Sequence, residues 1–410
     1  MKNTKRIVWI VVLLVSLGCI GKCANSLVKE HAHQERIEAQ MSPPVKGLQK
    51  GPYLIYPGQP DSMTVLWQLD APSSCTLSWQ AESSSKSQSV NVPTYVNDFQ
   101  YQYTLTGLAP AQRYFYQLKT ADQQTSGSFR SAPADNANSV KFLVYGDTRA
   151  SVSRHNRVCA GILKVLKKEP EYQTFLLHSG DLIDHGDSEI LWANQFFGRK
   201  WKNLLALQAN IPLQAVRGNH ERDGVLFRKY WSYPFCASDH SYGSFDYGPV
   251  HVVMLDQFED NYVYDPREIS DSQMEWLRRD LTATSKAWKI ILLHKPGWST
   301  GQHGNCTSVQ KQIQPICTEY GVAAVFSAHN HCYARADVDG VQHITTAGGG
   351  AVLCKVHPET DSKPYLKVAI PKRHFCKIAI DEAGFHLEAV EPDGNVLDSF
   401  TLATPPQPQR

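Results

Sequence analysis

The sequence predicts an α/β (α+β) protein in which an N-terminal antiparallel β-sandwich precedes a layered α/β domain. Between residues 47 and 133, short alternating strands such as 63–67 and 114–118 are separated by Gly, Pro and Ser. Short strands at this spacing are typical of a β-sandwich. From Val140 onwards, apolar strands alternate with helical stretches such as 154–168, which is typical of a layered α/β domain. A length of 410 residues also favours two domains.

Each element has an expected place along the chain. Strands of the first domain are expected at residues 63–67, 76–79, 101–105 and 114–118. Strands of the second domain, residues 138–403, are expected at 141–145, 174–178, 212–216, 250–255, 290–293 and 323–326, with others near 242–246, 343–347 and 377–402. Helices are expected at 154–168, 188–208, 271–282 and 308–320. The extra strands outside the alternating order favour mixed sheets over purely parallel ones.

Composition and charge limit the classes of function. Apolar residues make up 42% of the chain and charged residues 20%, which is ordinary for a globular protein and argues against disorder or multiple membrane spans. The formal net charge is +2, so the chain carries no nucleic-acid-binding signature.

The first 46 residues predict export. Three basic residues among the first six precede an apolar run from residue 7 to residue 20, which is typical of a signal peptide or lipoprotein signal over residues 1–25. A polar stalk follows over residues 26–46. We expect a periplasmic, membrane-anchored or extracellular protein. Lipid attachment at Cys19, simple cleavage and an uncleaved anchor that tethers the chain to the membrane stay open as alternatives.

Eight further cysteines follow this segment, an even number that permits disulfides in an exported chain. We expect one to three bridges, and Cys306 with Cys317 is the preferred pair because the two are close in sequence.

Polar side chains follow five of the predicted strands of the second domain. They are Asp147, Asp181 with Asp184, Asn219 with His220, His294, and His329 with His331. Because the carboxyl ends of strands meet at one edge of an α/β sheet, we expect these side chains to lie together. Carboxylate, amide and imidazole donors suit Fe, Mn or Zn, and one bridging carboxylate suits a pair of ions. The glycines before Asp147, Asp181 and Asn219 are expected to permit tight turns.

The ordered set Asp, Gly-Asp, Gly-Asn-His, His and His-x-His resembles that of the calcineurin-like metallophosphoesterase superfamily. With the preceding sandwich, which looks like a fibronectin type III domain, the chain resembles its purple acid phosphatase-related branch. The resemblance implies a two-sheet core flanked by helices and a pair of divalent or trivalent ions. It implies that Asp147, Asp181 and His331 bind one ion, and that Asp181 bridges to a second bound by Asn219, His294 and His329.

The resemblance also implies roles for His220 and Asp184, and the chain departs from the usual pattern at Asp184 and at Arg149. His220 would protonate the leaving group. Asp184 stands where purple acid phosphatases carry a tyrosine, and is similar to the aspartate that supports this histidine in serine/threonine phosphatases. Arg149 stands where many members carry a histidine; it would contact phosphate oxygens, and a structural salt bridge is the alternative.

These residues predict an exported hydrolase that cleaves a small phosphomonoester by attack of a metal-activated water. A phosphodiesterase using the same centre is the alternative, because the loops expected to set specificity carry no signature (residues 258–267, 299–306 and 356–372). A non-catalytic adhesion protein built on the sandwich is a third interpretation, which the six intact ligand positions disfavour. The oligomeric state and the metal pair stay open.

Overall fold

The computed structural model describes residues 32, 34–43, 45–259, 269–357 and 362–403. The predicted signal lies outside these residues. Of the predicted stalk, residues 34–38 are helical. Within the described part of the chain, none of the helices has both the length and the apolar character that crossing a membrane requires.

The first seven strands form the predicted antiparallel sandwich. They are β1 (Leu48–Ile55), β2 (Met63–Leu69), β3 (Cys75–Ala81), β4 (Gln88–Val92), β5 (Gln100–Leu105), β6 (Arg113–Lys119) and β7 (Gln124–Arg130). One sheet has the order β1-β2-β5 and the other β4-β3-β6-β7, and all pairs are antiparallel. The buried faces enclose a core in which Trp67 stacks on Tyr101 with ring centroids 5.6 Å apart.

The remaining thirteen described strands form two larger sheets. They are β8 (Val140–Tyr145), β9 (Leu176–His178), β10 (Leu213–Ala215), β11 (Gly243–Tyr247), β12 (Val250–Met254), β13 (Trp288–Leu292), β14 (Ala324–Ser327), β15 (Tyr333–Val338), β16 (Val341–Thr346), β17 (Leu366–Ile370), β18 (Phe375–Asp381), β19 (Gly384–Val390) and β20 (Val396–Leu402). The six-stranded sheet has the order β10-β9-β8-β18-β19-β20, and the seven-stranded sheet β11-β12-β13-β14-β16-β15-β17. Each combines parallel and antiparallel pairs, so the prediction of mixed sheets is confirmed.

Helices and short helical turns connect these strands. They are Val152–Lys168, Pro170–Tyr172, Glu189–Leu191, Trp192–Phe196, Lys202–Asn210, Asn219–Glu221, Val225–Tyr230, Asp271–Ala283, Val309–Ile313 and Gln314–Tyr320. The single helix predicted over residues 188–208 is wrong, because the chain leaves the helix after Phe196 and re-enters at Lys202. The break contains Gly198, where an added Cβ would lie 2.4 Å from the carbonyl oxygen of Asn194.

The sandwich packs directly against the second part of the chain. Tyr116 donates to the carbonyl of Ala209 over 3.0 Å, and Gly127 lies so close that an added Cβ would be 2.1 Å from that same oxygen. Gln214 of β10 exchanges two hydrogen bonds of 2.9 Å with the backbone of Tyr56. Accordingly, the described residues between Val45 and Ala403 belong to one compact unit.

All eight cysteines among the described residues are free thiols. The preferred pair from the sequence is therefore not bridged in this structure. The thiol of Cys306 lies 3.1 Å from the hydroxyl of Ser308, and Cys317 is buried in the helix Gln314–Tyr320.

Candidate metal centre

The parallel strands of the two large sheets carry the predicted site residues at their carboxyl ends. In the six-stranded sheet, β8, β9 and β10 are parallel and are followed by Asp147, Asp181 and Asn219. In the seven-stranded sheet, β13 and β14 are parallel and are followed by His294 and by the pair His329 and His331. All six predicted ligands therefore meet where the edges of the two sheets face each other.

Asp181 lies at the middle of this cluster. One group of donor atoms belongs to Asp147, Asp181 and His331, and a second to Asp181, His294 and His329; within each group the atoms lie within 4.8 Å of one another. Asn219 joins the second group, because its Oδ1 is 3.1 Å from Nε2 of His294. The arrangement is that of two adjacent sites sharing one carboxylate.

Three of the ligand residues have strained backbones. Asp147, Asp181 and His329 have φ angles of 54°, 58° and 65°, in the left-handed region that residues other than glycine seldom occupy. Such strain persists only where the surrounding structure fixes it, and it concentrates at functional sites. Gly218, which precedes Asn219, has no room for a side chain, because an added Cβ would lie 2.3 Å from Oδ1 of Asp181.

Backbone carbonyls fix the tautomers of two imidazoles of the centre. Nδ1 of His294 lies 2.8 Å from the carbonyl oxygen of Ser179, and Nδ1 of His331 lies 2.7 Å from that of Val352. Because a carbonyl only accepts, each neutral ring carries its proton on Nδ1 and leaves Nε2 as a lone pair.

These lone pairs point at carboxylates. Nε2 of His294 is 3.4 Å from Oδ1 of Asp181, and Nε2 of His331 is 3.2 Å from Oδ1 of Asp147. The latter oxygen is buried and receives no hydrogen bond from the described part of the chain. Imidazole nitrogens directed at buried carboxylates form an arrangement that can hold a metal cation.

Arg149 already makes the structural salt bridge considered as an alternative. Its Nε donates to Oδ2 of Asp181 over 3.1 Å, and its Nη1 lies 3.5 Å from Oδ1 of Asp184. Burial opposes the charge, but the neighbouring aspartates outweigh it and raise the pKa of Arg149. A permanently charged guanidinium therefore lies at the mouth of the cluster.

The structure corrects the predicted support of His220. Its Nδ1 donates to the backbone carbonyl of Asp184 over 2.6 Å, and not to the carboxylate. The carboxylate of Asp184 instead accepts a hydrogen bond of 2.8 Å from Nε2 of Gln195 and faces Arg149. The predicted carboxylate–imidazole dyad is not formed, because the turn directs the Asp184 side chain away from the ring.

Glu221, which directly follows His220, holds the turns of the centre together. Its buried carboxylate accepts backbone hydrogen bonds from Asp181, Leu182 and Gly218 over 2.7–2.9 Å. Burial and the nearby charge of Asp181 raise the pKa of Glu221 to about 8. This side chain fixes the turn after β9 to the turn after β10.

Comparison with known proteins agrees with this geometry. The family model described as calcineurin-like phosphoesterase matches residues 140–333, and the model described as purple acid phosphatase, N-terminal domain matches residues 50–131. Together they cover more than half of the chain.

This chain belongs to the calcineurin-like metallophosphoesterases.

Individual relatives place this metallophosphoesterase in the purple acid phosphatase-related branch. It is 29% identical to purple acid phosphatase 22 of Arabidopsis thaliana over 52% of this chain and 50% of the relative. It is 23% identical to acid phosphatase type 7 of Mus musculus over 89% of this chain and 94% of the relative. The chain thus spans half of the Arabidopsis protein and nearly all of the mouse protein.

Solved structures show the same fold. A purple acid phosphatase from yellow lupin (Lupinus luteus) seeds aligns with a TM-score of 0.70 at 18% identity, over 86% of this chain and 74% of that chain. PhoD aligns with a TM-score of 0.65 at 12% identity, over 88% and 90%. The predicted fold class, a sandwich followed by a helix-flanked two-sheet core, is confirmed.

The residues of this metallophosphoesterase fit the dinuclear centre that its family implies. Four kinds of observation agree: the shared Asp181, the opposed lone pairs, the buried Oδ1 of Asp147 without a hydrogen bond, and a donor set of carboxylates, imidazoles and one amide. Burial also lowers the pKa of His329 well below its ordinary value, which keeps that ring neutral as a metal ligand must be.

A cavity of about 610 Å³ opens beside the centre. Arg149 and His331 form its inner side; Gln302 with His303, and the segment 352–357, form its walls. The ring of His303 lies 4.7 Å from that of His329. The sequence predicted Arg149, His331 and the loops 299–306 and 356–372, which contain Gln302, His303 and His357. Residues 352–355 were missed, since loop side chains carry no periodic signal. The third loop, 258–267, lies largely outside the described residues.

Proposed function

We propose that this chain is an exported phosphomonoesterase that acts at a dinuclear metal centre. The observation that carries the proposal is the position of Asp181, whose carboxylate belongs to both groups of potential metal ligands. When bound, two ions supply Lewis acidity toward phosphate oxygens and activate water as the nucleophile. The chain's own residues must bind the phosphate, orient it and deliver a proton to the leaving group.

Arg149 is placed to bind the phosphate. In the structure its guanidinium neutralises Asp181 and Asp184. Cations beside Asp181 would take over that neutralisation, and the guanidinium is then available for two phosphate oxygens in its fork geometry. A dianionic terminal phosphate suits this permanently charged group better than the monoanion of a diester.

His220 is placed to supply the proton. The carbonyl of Asp184 fixes the proton on Nδ1, so the transferable proton of the cationic ring is on Nε2. Nε2 lies 3.9 Å from Oδ2 of Asp181, close to the centre without belonging to either ligand group. Such a group can protonate a leaving alcohol held on the opposite side of the phosphate from the nucleophile.

A phosphodiesterase activity at the same centre is the second candidate, since the 610 Å³ cavity has room for a second ester substituent. Turnover of nitrophenyl phosphate and of bis(nitrophenyl) phosphate, measured after chelation and after readdition of Mn, Zn or Fe, separates the two. We expect no turnover after chelation, recovery on metal addition, and at least about tenfold higher kcat/KM for the monoester. A diester preference would replace the proposal with its alternative. Full turnover in the metal-free protein would refute the metal centre.

Export and tethering rest on the first 25 residues, which the described structure does not include. Fractionation of the expressing cell tests them, because the proposal places the catalytic part outside the cytoplasm. If Cys19 carries a lipid, Cys19→Ser releases the protein from membranes; retention after that change leaves an uncleaved anchor. Full-length protein in the soluble cytoplasm would contradict export.

A further inference from the structure

One wall of the cavity, formed by residues 352–357, is fixed to a metal-ligand residue. The carbonyl of Val352 accepts from Nδ1 of His331 over 2.7 Å. The backbone N–H of Cys354 donates to the carbonyl of His331 over 3.1 Å. Cys354 also packs with Cys332, the residue after this ligand, in one buried apolar cluster. The start of the wall therefore has one position relative to the centre.

The other end of the wall is fixed as well. The hydroxyl of Thr300, which is 1% exposed, donates to the carbonyl of His357 over 2.6 Å and accepts from the N–H of His357 over 2.9 Å. Thr300 directly precedes the turn that carries His303. The backbones of both walls are thus joined to each other and to the predicted ligand His331.

The charge of the cavity is one-sided. Its lining carries the cations Arg149 and Lys355 and the imidazoles of His303, His331 and His357, and among the described residues that line it none is Asp or Glu. Lys355 is exposed and forms no ion pair within the described part of the chain. A lysine without a carboxylate partner on a fixed wall leaves a positive charge facing the cavity, which favours anionic ligands there.

We propose that Lys355, with His357 beside it, binds a second anionic group of the substrate, remote from the phosphate that is cleaved. The substrate class is then a phosphomonoester whose leaving alcohol carries a carboxylate or a further phosphate. This inference rests on the proposed function, since Arg149 and the ions must take the scissile phosphate. The subsite interacts with a part of the substrate that does not react, so it strengthens substrate binding.

The test compares two matched pairs of substrates. Glycerol 3-phosphate and 3-phosphoglycerate differ by one carboxylate, and fructose 6-phosphate and fructose 1,6-bisphosphate differ by one phosphate. For each pair, the ratio of kcat/KM for the more anionic substrate to that for its partner measures the subsite. We expect Lys355→Gln to lower the ratio about five- to tenfold, the value of one charge-assisted contact. The substrate pair whose ratio falls in Lys355→Gln identifies the second anion as a carboxylate or a phosphate.

The control is Lys86→Gln, the same substitution at an exposed lysine in the turn between β3 and β4 of the sandwich, which should leave both ratios unchanged. His357→Gln should lower the responding ratio further in the double variant. Raising the salt concentration should weaken the wild-type preference, because the pairing is partly exposed. Melting temperatures of all variants identify any that misfold.

If both kcat/KM ratios stay unchanged in Lys355→Gln and in the double variant with His357→Gln, the subsite is overturned. Turnover of glycerol 3-phosphate would still support the phosphomonoesterase in that case. Absence of turnover of every monoester by the metal-loaded wild type would instead overturn the proposed function, and the subsite with it.

Discussion

The metal centre and the junction between the sandwich and the catalytic part are both built from buried polar groups, yet these groups are satisfied differently. At the centre, Oδ1 of Asp147 is buried and receives no hydrogen bond from the described part of the chain, although Nε2 of His331 lies 3.2 Å from it. At the junction, Nζ of Lys50, which is 2% exposed, donates to Glu189 over 2.9 Å, and this carboxylate also accepts from Lys229. Donors and acceptors match at the junction and do not match at the centre.

This difference in hydrogen-bond satisfaction distinguishes residues that serve function from residues that stabilise the fold. Opposed acceptors destabilise the metal-free fold and create affinity for cations, so changes there should alter activity more than folding. Matched ionic groups at a buried junction should show the reverse, because removal of one partner leaves the other buried without compensation. The predictions below test this separation.

The largest effect is expected at Asp181, which serves both ligand groups. Asp181→Asn should lose both ions and reduce kcat by at least about 10⁴-fold, as removal of one member of a catalytic unit does. The metal-free variant should melt close to metal-free wild type, because Arg149 keeps Asp184 as a counter-charge. Metal analysis, turnover and calorimetry provide the readouts. Two retained ions with wild-type turnover would remove the basis of the bridging role.

His220 should show a smaller loss with a different character. His220→Ala keeps both ions and loses about 10²–10⁴-fold in kcat on an alkyl phosphate, the usual contribution of general acid catalysis. The loss should shrink on nitrophenyl phosphate, whose leaving group needs little protonation. Equal losses on both substrates, or loss of metal, would make His220 a structural or ligating residue.

The contrast variant for His220 is Asp184→Asn. Because the backbone carbonyl of Asp184 orients the ring, this change should leave the leaving-group dependence as in wild type. A loss of kcat that is larger on the alkyl phosphate than on nitrophenyl phosphate would show that the carboxylate of Asp184 does support the ring.

The sequence was sufficient to predict that the proposed ligands lie together, because each follows a glycine-bounded turn or a strand end in a parallel order, which topology alone brings together. It was not sufficient for the partner of His220, since which oxygen of Asp184 reaches the ring depends on the turn dihedrals. The thiol pair Cys332 and Cys354 was missed for a related reason. Their approach follows from the backbone bond between Cys354 and His331, not from sequence proximity.

The junction gives the third prediction. Burial opposes the charge on Glu189, but the attraction of Lys50 and hydrogen bonds from Lys229 and Tyr230 lower its pKa to about 2. Glu189→Gln leaves Lys50 buried without a counter-charge and should destabilise the fold by about 2–3 kcal/mol, less than for a fully buried pair because the Glu189 side chain is 43% exposed. Denaturant unfolding measures the loss.

Activity per folded molecule should be unchanged in Glu189→Gln, which is the reverse of the Asp181→Asn pattern. Gln68→Glu is the matched test, because Gln68 also contacts Nζ of Lys50 and a carboxylate there restores a counter-charge. If adding Gln68→Glu to Glu189→Gln recovers none of the lost stability, the ionic pairing is not what stabilises the junction.

The smallest effect is expected at His251, a junction histidine whose charge state is opposite to that of the ligand His329. A cavity of about 640 Å³ between the sandwich and the catalytic part is lined by His251 and Asp280. Nδ1 of His251 lies 2.7 Å from Asp246 and Nε2 lies 2.8 Å from Asp280. Burial lowers the pKa of this ring, but hydrogen bonds to the two carboxylates outweigh it and raise the pKa from 6.5 to about 9.

A pKa raised in the folded state gives stability that is complete below the unfolded value of 6.5 and is lost as pH rises through about 9. The contribution should be about 2 kcal/mol, reduced from the full shift because Asp246 is half-exposed. The unfolding free energy of wild type should therefore exceed that of His251→Gln most at pH 6, and the gap should narrow steadily to pH 10. A difference in unfolding free energy that does not change with pH would mean that the ring of His251 contributes packing alone. In that case the charge of His251 would not distinguish the junction from the metal centre.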